Sequence, residues 1–160
     1  MASGKSWLGQ ELALTSGLTF IDIDELFEER YRITILDFFD KYGEVLFRKL
    51  ERQMLRETGA LENIVIATGG GAPCFFDNME FILKSGRSLY LRMEVQELMS
   101  RIVGIKKKRP LLKDIEPSRL ETYVKNQLAE REYYYLQANY VFDGPDYPME
   151  EILKVLRFTF

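Results

Sequence analysis

Two short runs constrain this chain more than any other feature. Residues 18–22 (Leu-Thr-Phe-Ile-Asp) end in acid, and residues 63–68 (Asn-Ile-Val-Ile-Ala-Thr) lead into Gly69-Gly70-Gly71. Compact apolar runs rich in β-branched residues read as strands buried on both faces, as in a parallel sheet covered by helices. Helical spacing fills the intervals. Trp7, Leu8, Leu12 and Leu14 mark a first helix that Gly17 ends, and residues 24–30, 34–42 and 44–57 form three more, with Gly43 between the last two. Asp77 is expected to cap a helix to residue 84, residues 87–92 read as a strand, and residues 94–103 as a helix. Residues 104–115, charged and containing Pro110, suit a mobile lid before a long helix over 117–135. A short strand at 140–142 and a helix at 149–157, with Ile152, Val155 and Leu156 on one face, complete the pattern. This alternation predicts an α/β fold, a three-layer arrangement whose parallel sheet is flanked by helices and binds ligands beyond the carboxyl ends of its strands.

At 160 residues the chain fits one domain, 1–160. Its net charge is −3, and 106–109 is its one basic stretch, so nucleic acid is not an expected partner. Cys74 is the single cysteine and histidine is absent, which excludes an internal disulfide and a thiolate or imidazole metal cluster. Any metal is therefore a hard cation bound by oxygen. No apolar run approaches a membrane span and no secretory pattern opens the chain, so the cytoplasm is the default location; a monomer is expected.

Ser3-Gly4-Lys5-Ser6 directly before a helix matches the second half of a G-x-x-x-x-G-K-[ST] loop, whose backbone N–H groups and helix N-terminus attract phosphate oxygens. In that reading Lys5 reaches the β- and γ-phosphates and Ser6 offers its hydroxyl to Mg²⁺. The competing reading is a plain helix start. The first glycine of the full loop, and the strand that normally precedes it, would lie before Met1, so the expectation is a chain truncated at its N-terminus. Asp22 and Asp24 flank Ile23 at a strand end, where both carboxylates can face one ligand while Ile23 points into the core. For Asp24, capping of the next helix is the alternative.

The ordered set Gly4-Lys5-Ser6, Phe20-Ile21-Asp22-Ile23-Asp24, Phe47-Arg48-Lys49-Leu50-Glu51, residues 67–71 (Ala-Thr-Gly-Gly-Gly), residues 109–112 (Arg-Pro-Leu-Leu), and Glu130-Arg131 with Tyr135 resembles the shikimate kinase family of P-loop phosphotransferases. The resemblance covers essentially the whole chain. It implies Mg²⁺-dependent transfer of the ATP γ-phosphate to the 3-hydroxyl of shikimate, on the route to chorismate and the aromatic amino acids. It implies that Asp24 contacts the ring hydroxyls and acts as base, and that Asp22 supports the Mg²⁺ shell. Arg48 and Arg131 would hold the substrate carboxylate, a task suited to a planar guanidinium fork. Gly69, Gly70 and Gly71 would line the acceptor pocket, where a side chain would collide. Arg109 in the lid would close over the phosphates, and Arg101 would stack on adenine, with residues 143–145 passing near it.

Two positions depart from the family pattern: Trp7 stands where a second small hydroxyl residue is usual, and Ala2 where a loop glycine is common. Together with Ser3, Gly4, Lys5 and Ser6 they are expected to surround the phosphates. Trp7 would need space beside the sheet. The competing readings are another small-molecule kinase of the same fold and an inactive remnant or binding module. Tyr133, Tyr134, Tyr135 and the Phe38-Phe39 pair are expected to be core, and Cys74 a small buried residue without activation.

Overall fold

In the computed structural model the described residues are 3–105, 115–144 and 146–157; Ala2, Arg109 with most of the expected lid, and Pro145 lie outside them. The elements are α1 (Lys5–Ser16), β1 (Thr19–Asp22), α2 (Ile23–Tyr31), α3 (Ile35–Tyr42), α4 (Glu44–Gly59), β2 (Ile64–Ala67), a 3₁₀ turn (Ala72–Cys74), α5 (Asn78–Ser85), β3 (Leu89–Arg92), α6 (Val95–Ile105), α7 (Pro117–Tyr135), β4 (Tyr140–Asp143) and α8 (Met149–Arg157).

Local chemistry sets most boundaries. Gly17 ends α1 in the left-handed region at φ 67°, a conformation that costs glycine little. Thr34 caps α3, its Oγ1 accepting from the Asp37 backbone N–H at 3.1 Å. Replacing Thr34 with alanine is expected to cost about 0.5–2 kcal/mol of stability, read from urea unfolding, because that N–H loses its partner. Two caps differ from expectation. Asp22, not Asp24, caps α2. Asp77 precedes α5 without accepting from its backbone, because its carboxylate is engaged by Arg52 at 3.0 Å and Arg56 at 2.7 Å, both from α4; paired guanidinium donors outcompete neutral N–H groups.

The strands form two parallel pairs, β1 with β2 and β3 with β4, in keeping with the α/β class and parallel strands expected from sequence. In the first, β1 lies beside β2 with Thr19 opposite Ile64 and Asp22 opposite Ala67. In the second, β3 lies beside β4 with Leu89 opposite Tyr140 and Arg92 opposite Asp143. Both pairs run antiparallel to α1. The C-terminal end of α1 turns directly into β1, with Thr19 N–H donating to Asn63 O at 3.0 Å. At the other end, Tyr147, which follows β4, donates to Ser3 O at 3.1 Å. All four strands therefore point the same way. Between β2 and β3 no strand pairing occurs among the described residues, and a cavity of about 920 Å³ separates them.

Three apolar clusters carry the packing. Leu8 and Leu12 of α1 meet Leu91 of β3 and Ile152 of α8, with Val65 and Phe142 against them. Met93, Leu98, Ile102, Leu120 and Val124 join α6 to α7. Phe27, Phe38, Phe47 and Met54 join α2, α3 and α4, with the Phe27 ring 4.6–5.0 Å from those of Tyr31, Phe38 and Phe47. Phe38 and Ile23 are core as expected. Tyr133, however, is 73% exposed, because α7 turns that face away from its neighbours, and Leu14 of α1 is likewise exposed. Trp7 needs no room beside the sheet, since its ring lies outward on α1 at 63% exposure.

Candidate functional site

The carboxyl ends of β1 and β2 and the start of α1 meet at Asp22. One carboxylate oxygen accepts from the backbone N–H of Asp24 at 2.9 Å and of Glu25 at 3.4 Å; the other accepts from Ser6 Oγ at 2.5 Å. Asp22 thus fixes the start of α2 and holds the Ser6 hydroxyl at the start of α1. Gly4, immediately before α1, adopts φ 87° and ψ 17°, a backbone state that side chains rarely take. Its Cα hydrogen faces Arg101, since a Cβ there would lie 3.4 Å from Arg101 Nη1. Ser3 is buried and Lys5 half-buried. The expected phosphate residues Ser3, Gly4, Lys5 and Ser6 are therefore gathered with Arg101 and Asp22, while Trp7 turns away.

Asp22 serves as the cap of α2, and the Asp24 carboxylate lies against Gly69. A Cβ at Gly69 would stand 2.8 Å from Asp24 Oδ1 and 2.8 Å from Glu51 Oε1. The three glycines after β2 have no positive φ. For Gly69 and Gly71 the requirement is close approach: a Cβ at Gly71 would stand 2.5 Å from Arg48 Nη2. The loop is held in place by Ala72 N–H donating to Gly69 O at 3.0 Å, by buried Asn78 donating to Ala72 O at 2.8 Å, and by Tyr135 Oη donating to Gly70 O.

Arg48 is 5% exposed, which excludes a surface salt bridge as its whole role. Its Nη1 donates to Glu51 Oε2 at 2.8 Å, its Nε and Nη2 to Glu44 Oε1 at 3.0 and 2.8 Å, and its guanidinium lies 4.4 Å from the centroid of the Phe75 ring. Arg131, 9% exposed on α7, donates to Gln127 Oε1 at 2.5 Å. Burial pushes the Glu51 carboxyl upward against the opposing pull of Arg48, and Glu51 Oε1 has no hydrogen-bond partner among the described residues. Burial also raises Tyr135 to about 12, with Arg131 opposing, so its hydroxyl keeps its proton. A cavity of about 330 Å³ opens beside these groups, lined by Glu44, Cys74, Phe75, Tyr123, Arg131 and Tyr134 among others.

Cys74 feels both Arg131 and Arg48, yet burial dominates and pushes its thiol up to about 11. At pH 8 its thiolate is scarce, so iodoacetamide should label it at least about 10-fold more slowly than free cysteine, with the rate climbing as pH rises toward that value. Mass spectrometry against a cysteine peptide checks this, and labelling at the free rate at pH 8 would contradict it.

Glu44, Glu51, Gln127 and the Tyr135 strap carried no assigned role in the sequence, although spacing signals them. Glu44 and Glu51 stand four before and three after Arg48 on one helix face, and Gln127 and Tyr135 four before and four after Arg131.

The site thus combines a carboxylate against a glycine loop, two buried guanidinium groups of which Arg131 lines a cavity, and a lysine with a hydroxyl at a helix start. The family model for shikimate kinase matches residues 1–158. A shikimate kinase of Parabacteroides distasonis is 43% identical over 144 residues, covering 90% of this chain and 83% of that protein; one of Azobacteroides pseudotrichonymphae is 41% identical over 98% of this chain and 92% of its own length. Among solved structures, a shikimate kinase from Bacteroides thetaiotaomicron superposes with a TM-score of 0.91 at 36% identity, covering 98% of this chain and 94% of that one. A shikimate kinase from Acinetobacter baumannii, solved in complex with shikimate, gives 0.89 at 32% identity, covering 99% of this chain and 87% of that one.

Proposed function

Because the chain belongs to the shikimate kinase family, we propose that it transfers the γ-phosphoryl group of ATP to the 3-hydroxyl of shikimate. The observation that carries this reading is the pair of buried guanidinium groups, Arg48 and Arg131, both felt by Cys74. Arg48 is shared between Glu44 and Glu51, whereas buried Arg131 bonds to the neutral Gln127, so an acidic ligand suits this pair. Shikimate supplies that carboxylate on a ring carrying hydroxyls, and gluconate or a nucleoside does not match it as well. A remnant or binding module is disfavoured on the same ground.

In the transfer, the shikimate oxygen attacks the γ-phosphorus as the bond to the β–γ bridging oxygen breaks, and ADP leaves with that electron pair. The Asp24 carboxylate takes the hydroxyl proton. Its place against Gly69 supports this role, since no side chain intervenes between the loop and the carboxylate. Glycines 69, 70 and 71 let the acceptor ring approach the backbone. Lys5 reaches the β- and γ-oxygens while Ser3, Gly4 and Ser6 surround the phosphates; Arg101, beside Gly4, contacts the nucleotide. Arg109, Ala2 and Trp7 belong to the same nucleotide-binding assignment, with Arg109 closing over the phosphates. The Ser6 hydroxyl and Asp22 carboxylate are adjacent hard oxygen donors that would hold Mg²⁺, which would offset phosphate charge there. We read residues 1–160 as one domain acting as a cytoplasmic monomer. No helix among the described residues is long and apolar enough to cross a membrane.

Shikimate-dependent ADP release in a coupled assay with Mg²⁺ and ATP tests the reading; a folded protein that releases ADP equally with gluconate, or only without an acceptor, would overturn it. Within the same assay, Gly71→Ala should raise KM for shikimate about tenfold, roughly 1.4 kcal/mol, because its Cβ displaces Arg48. KM for ATP should stay unchanged.

A further inference from the structure

Hydrogen bonds alone do not fix the orientation of Arg48. A guanidinium carries five N–H donors, all pointing in its plane. Three are engaged among the described residues: Nε and one N–H of Nη2 by Glu44, and one N–H of Nη1 by Glu51. One N–H remains on Nη1 and one on Nη2, and a carboxylate accepts such a pair in bidentate fashion. These in-plane bonds hold the edges of the group and leave its plane able to tilt. Glu44 in particular reaches Arg48 with a side chain 39% exposed.

What bears on the face of the group is the Phe75 ring, whose centroid lies 4.4 Å from the guanidinium carbon. The Phe47 ring lies farther off, at 5.2 Å, and belongs to the core of α2, α3 and α4. The negative face of an aromatic ring attracts a cation without consuming its donors, and the attraction is strongest where water is excluded. Arg48, at 5% exposure, meets that condition. Phe75 also lines the cavity that Arg131 lines, so one ring rests on the first guanidinium of the proposed acceptor site and walls the space beside the second.

The segment carrying Phe75 is pinned on both sides. Before it, Cys74 N–H donates to Gly71 O at 2.9 Å. After it, Asp77 receives Arg52 and Arg56 of α4. Between them Phe76 adopts φ 54°, a left-handed state that strains a bulky residue and persists where its surroundings enforce it. Successive side chains of an extended segment point to opposite sides. The left-handed residue breaks that alternation, and Phe75 and Phe76 both meet α4, at Arg48 and Arg52. Arg48, Arg52 and Arg56 follow at four-residue steps along α4, the third against the Phe81 ring at 4.5 Å. The Arg52 and Arg56 side chains are 43% and 29% exposed, so of the three stacked pairs the one at Arg48 is the most desolvated.

We propose that Phe75 is a positioning residue for the acceptor: its ring fixes the plane of Arg48 and so aims the two remaining N–H groups at the acceptor carboxylate. The inference rests on the kinase reading and deepens it, because Phe75 acts through Arg48 on acceptor binding and not on phosphoryl transfer.

The test separates ring electronics from bulk. Position 75 is replaced by leucine, by tyrosine, and by mono-, di- and trifluorinated phenylalanine, whose ring keeps its apolar bulk while fluorine weakens the negative face. KM for shikimate and for ATP, kcat and the calorimetric Kd for shikimate are measured, with a thermal melt of each variant. KM and Kd for shikimate should rise with each added fluorine, reaching about tenfold for the trifluorinated ring and for Phe75→Leu, while Phe75→Tyr stays within about twofold of the parent. Across the series kcat and KM for ATP should stay within about threefold. Phe76→Leu, at the exposed pair with Arg52, should change neither shikimate constant. Shikimate affinity indifferent to fluorination, a loss shared equally by ATP, or an equal loss in Phe76→Leu would each overturn the proposal and leave the kinase reading standing. A parent chain that neither binds nor phosphorylates shikimate would overturn both.

Discussion

Replacing Asp24 with asparagine lowers kcat by about 10²–10⁴-fold and leaves KM for shikimate within about threefold. Asparagine keeps the size and the contact against Gly69 but cannot accept the hydroxyl proton. The variant should fold at least as well as the parent, because two carboxylates flank Gly69 and the charge of Asp24 contributes to raising the Glu51 carboxyl. Removing one of two like charges relieves that strain. A steady-state comparison with a thermal melt checks both parts. A loss in KM with kcat intact would reassign Asp24 from proton acceptor to binding group.

The second large effect is Arg48→Ala. It removes a guanidinium proposed to hold the acceptor carboxylate and leaves Glu51, 1% exposed, without its ion-pair partner. Breaking such a pair costs about 3–5 kcal/mol, and KM for shikimate should rise about 100-fold or more from loss of a charge-assisted contact. The pH dependence has a defined sign. Burial already raises the folded-state Glu51 carboxyl above its ordinary value of 4.5, and Arg48 opposes that rise. Without Arg48 the folded state binds the proton more readily than the unfolded one, so the stability deficit narrows as pH falls and widens as pH rises through the folded-state value. Replacing both Arg48→Ala and Glu51→Leu separates the two roles: stability returns toward the parent because no lone charge is buried, and KM stays high. Recovery of KM in the double variant would show that Arg48 acts only as a structural counter-ion.

The strands and helices were legible because their signals are local. Residues 63–68 announce a buried strand by composition, and β2 (Ile64–Ala67) lies inside that run; Pro117 and the long periodic stretch after it give the observed limits of α7. Capping was read less well, since Asp22, Asp24 and Asp77 all qualify by residue type and the outcome depends on which tertiary partners each carboxylate meets. Arginines from α4 claimed Asp77, and Ser6 together with the α2 N-terminus claimed Asp22. Which strands pair was also beyond local pattern, because pairing is decided by what lies beside an edge. At the site, the order of the motifs singled out Arg48, Arg131, Asp24 and three glycines, and the structure buries both arginines and sets Asp24 against Gly69 and Arg48 against Gly71. Glu51 escaped a role because a carboxylate three residues from an arginine on a helix normally signals a surface pair; only its burial and its place beside Gly69 distinguish it.

Nuclear magnetic resonance of the product tests the central claim most directly. The protein is incubated with Mg²⁺, ATP and shikimate, and ³¹P–¹H correlation is recorded alongside the Asp24→Asn variant. A new phosphate monoester signal coupled to the proton on the ring carbon bearing the 3-hydroxyl, formed with ADP in equal amount and nearly absent in the variant, is the predicted result. ADP with free phosphate and no ester, or an ester on a different hydroxyl, would contradict it.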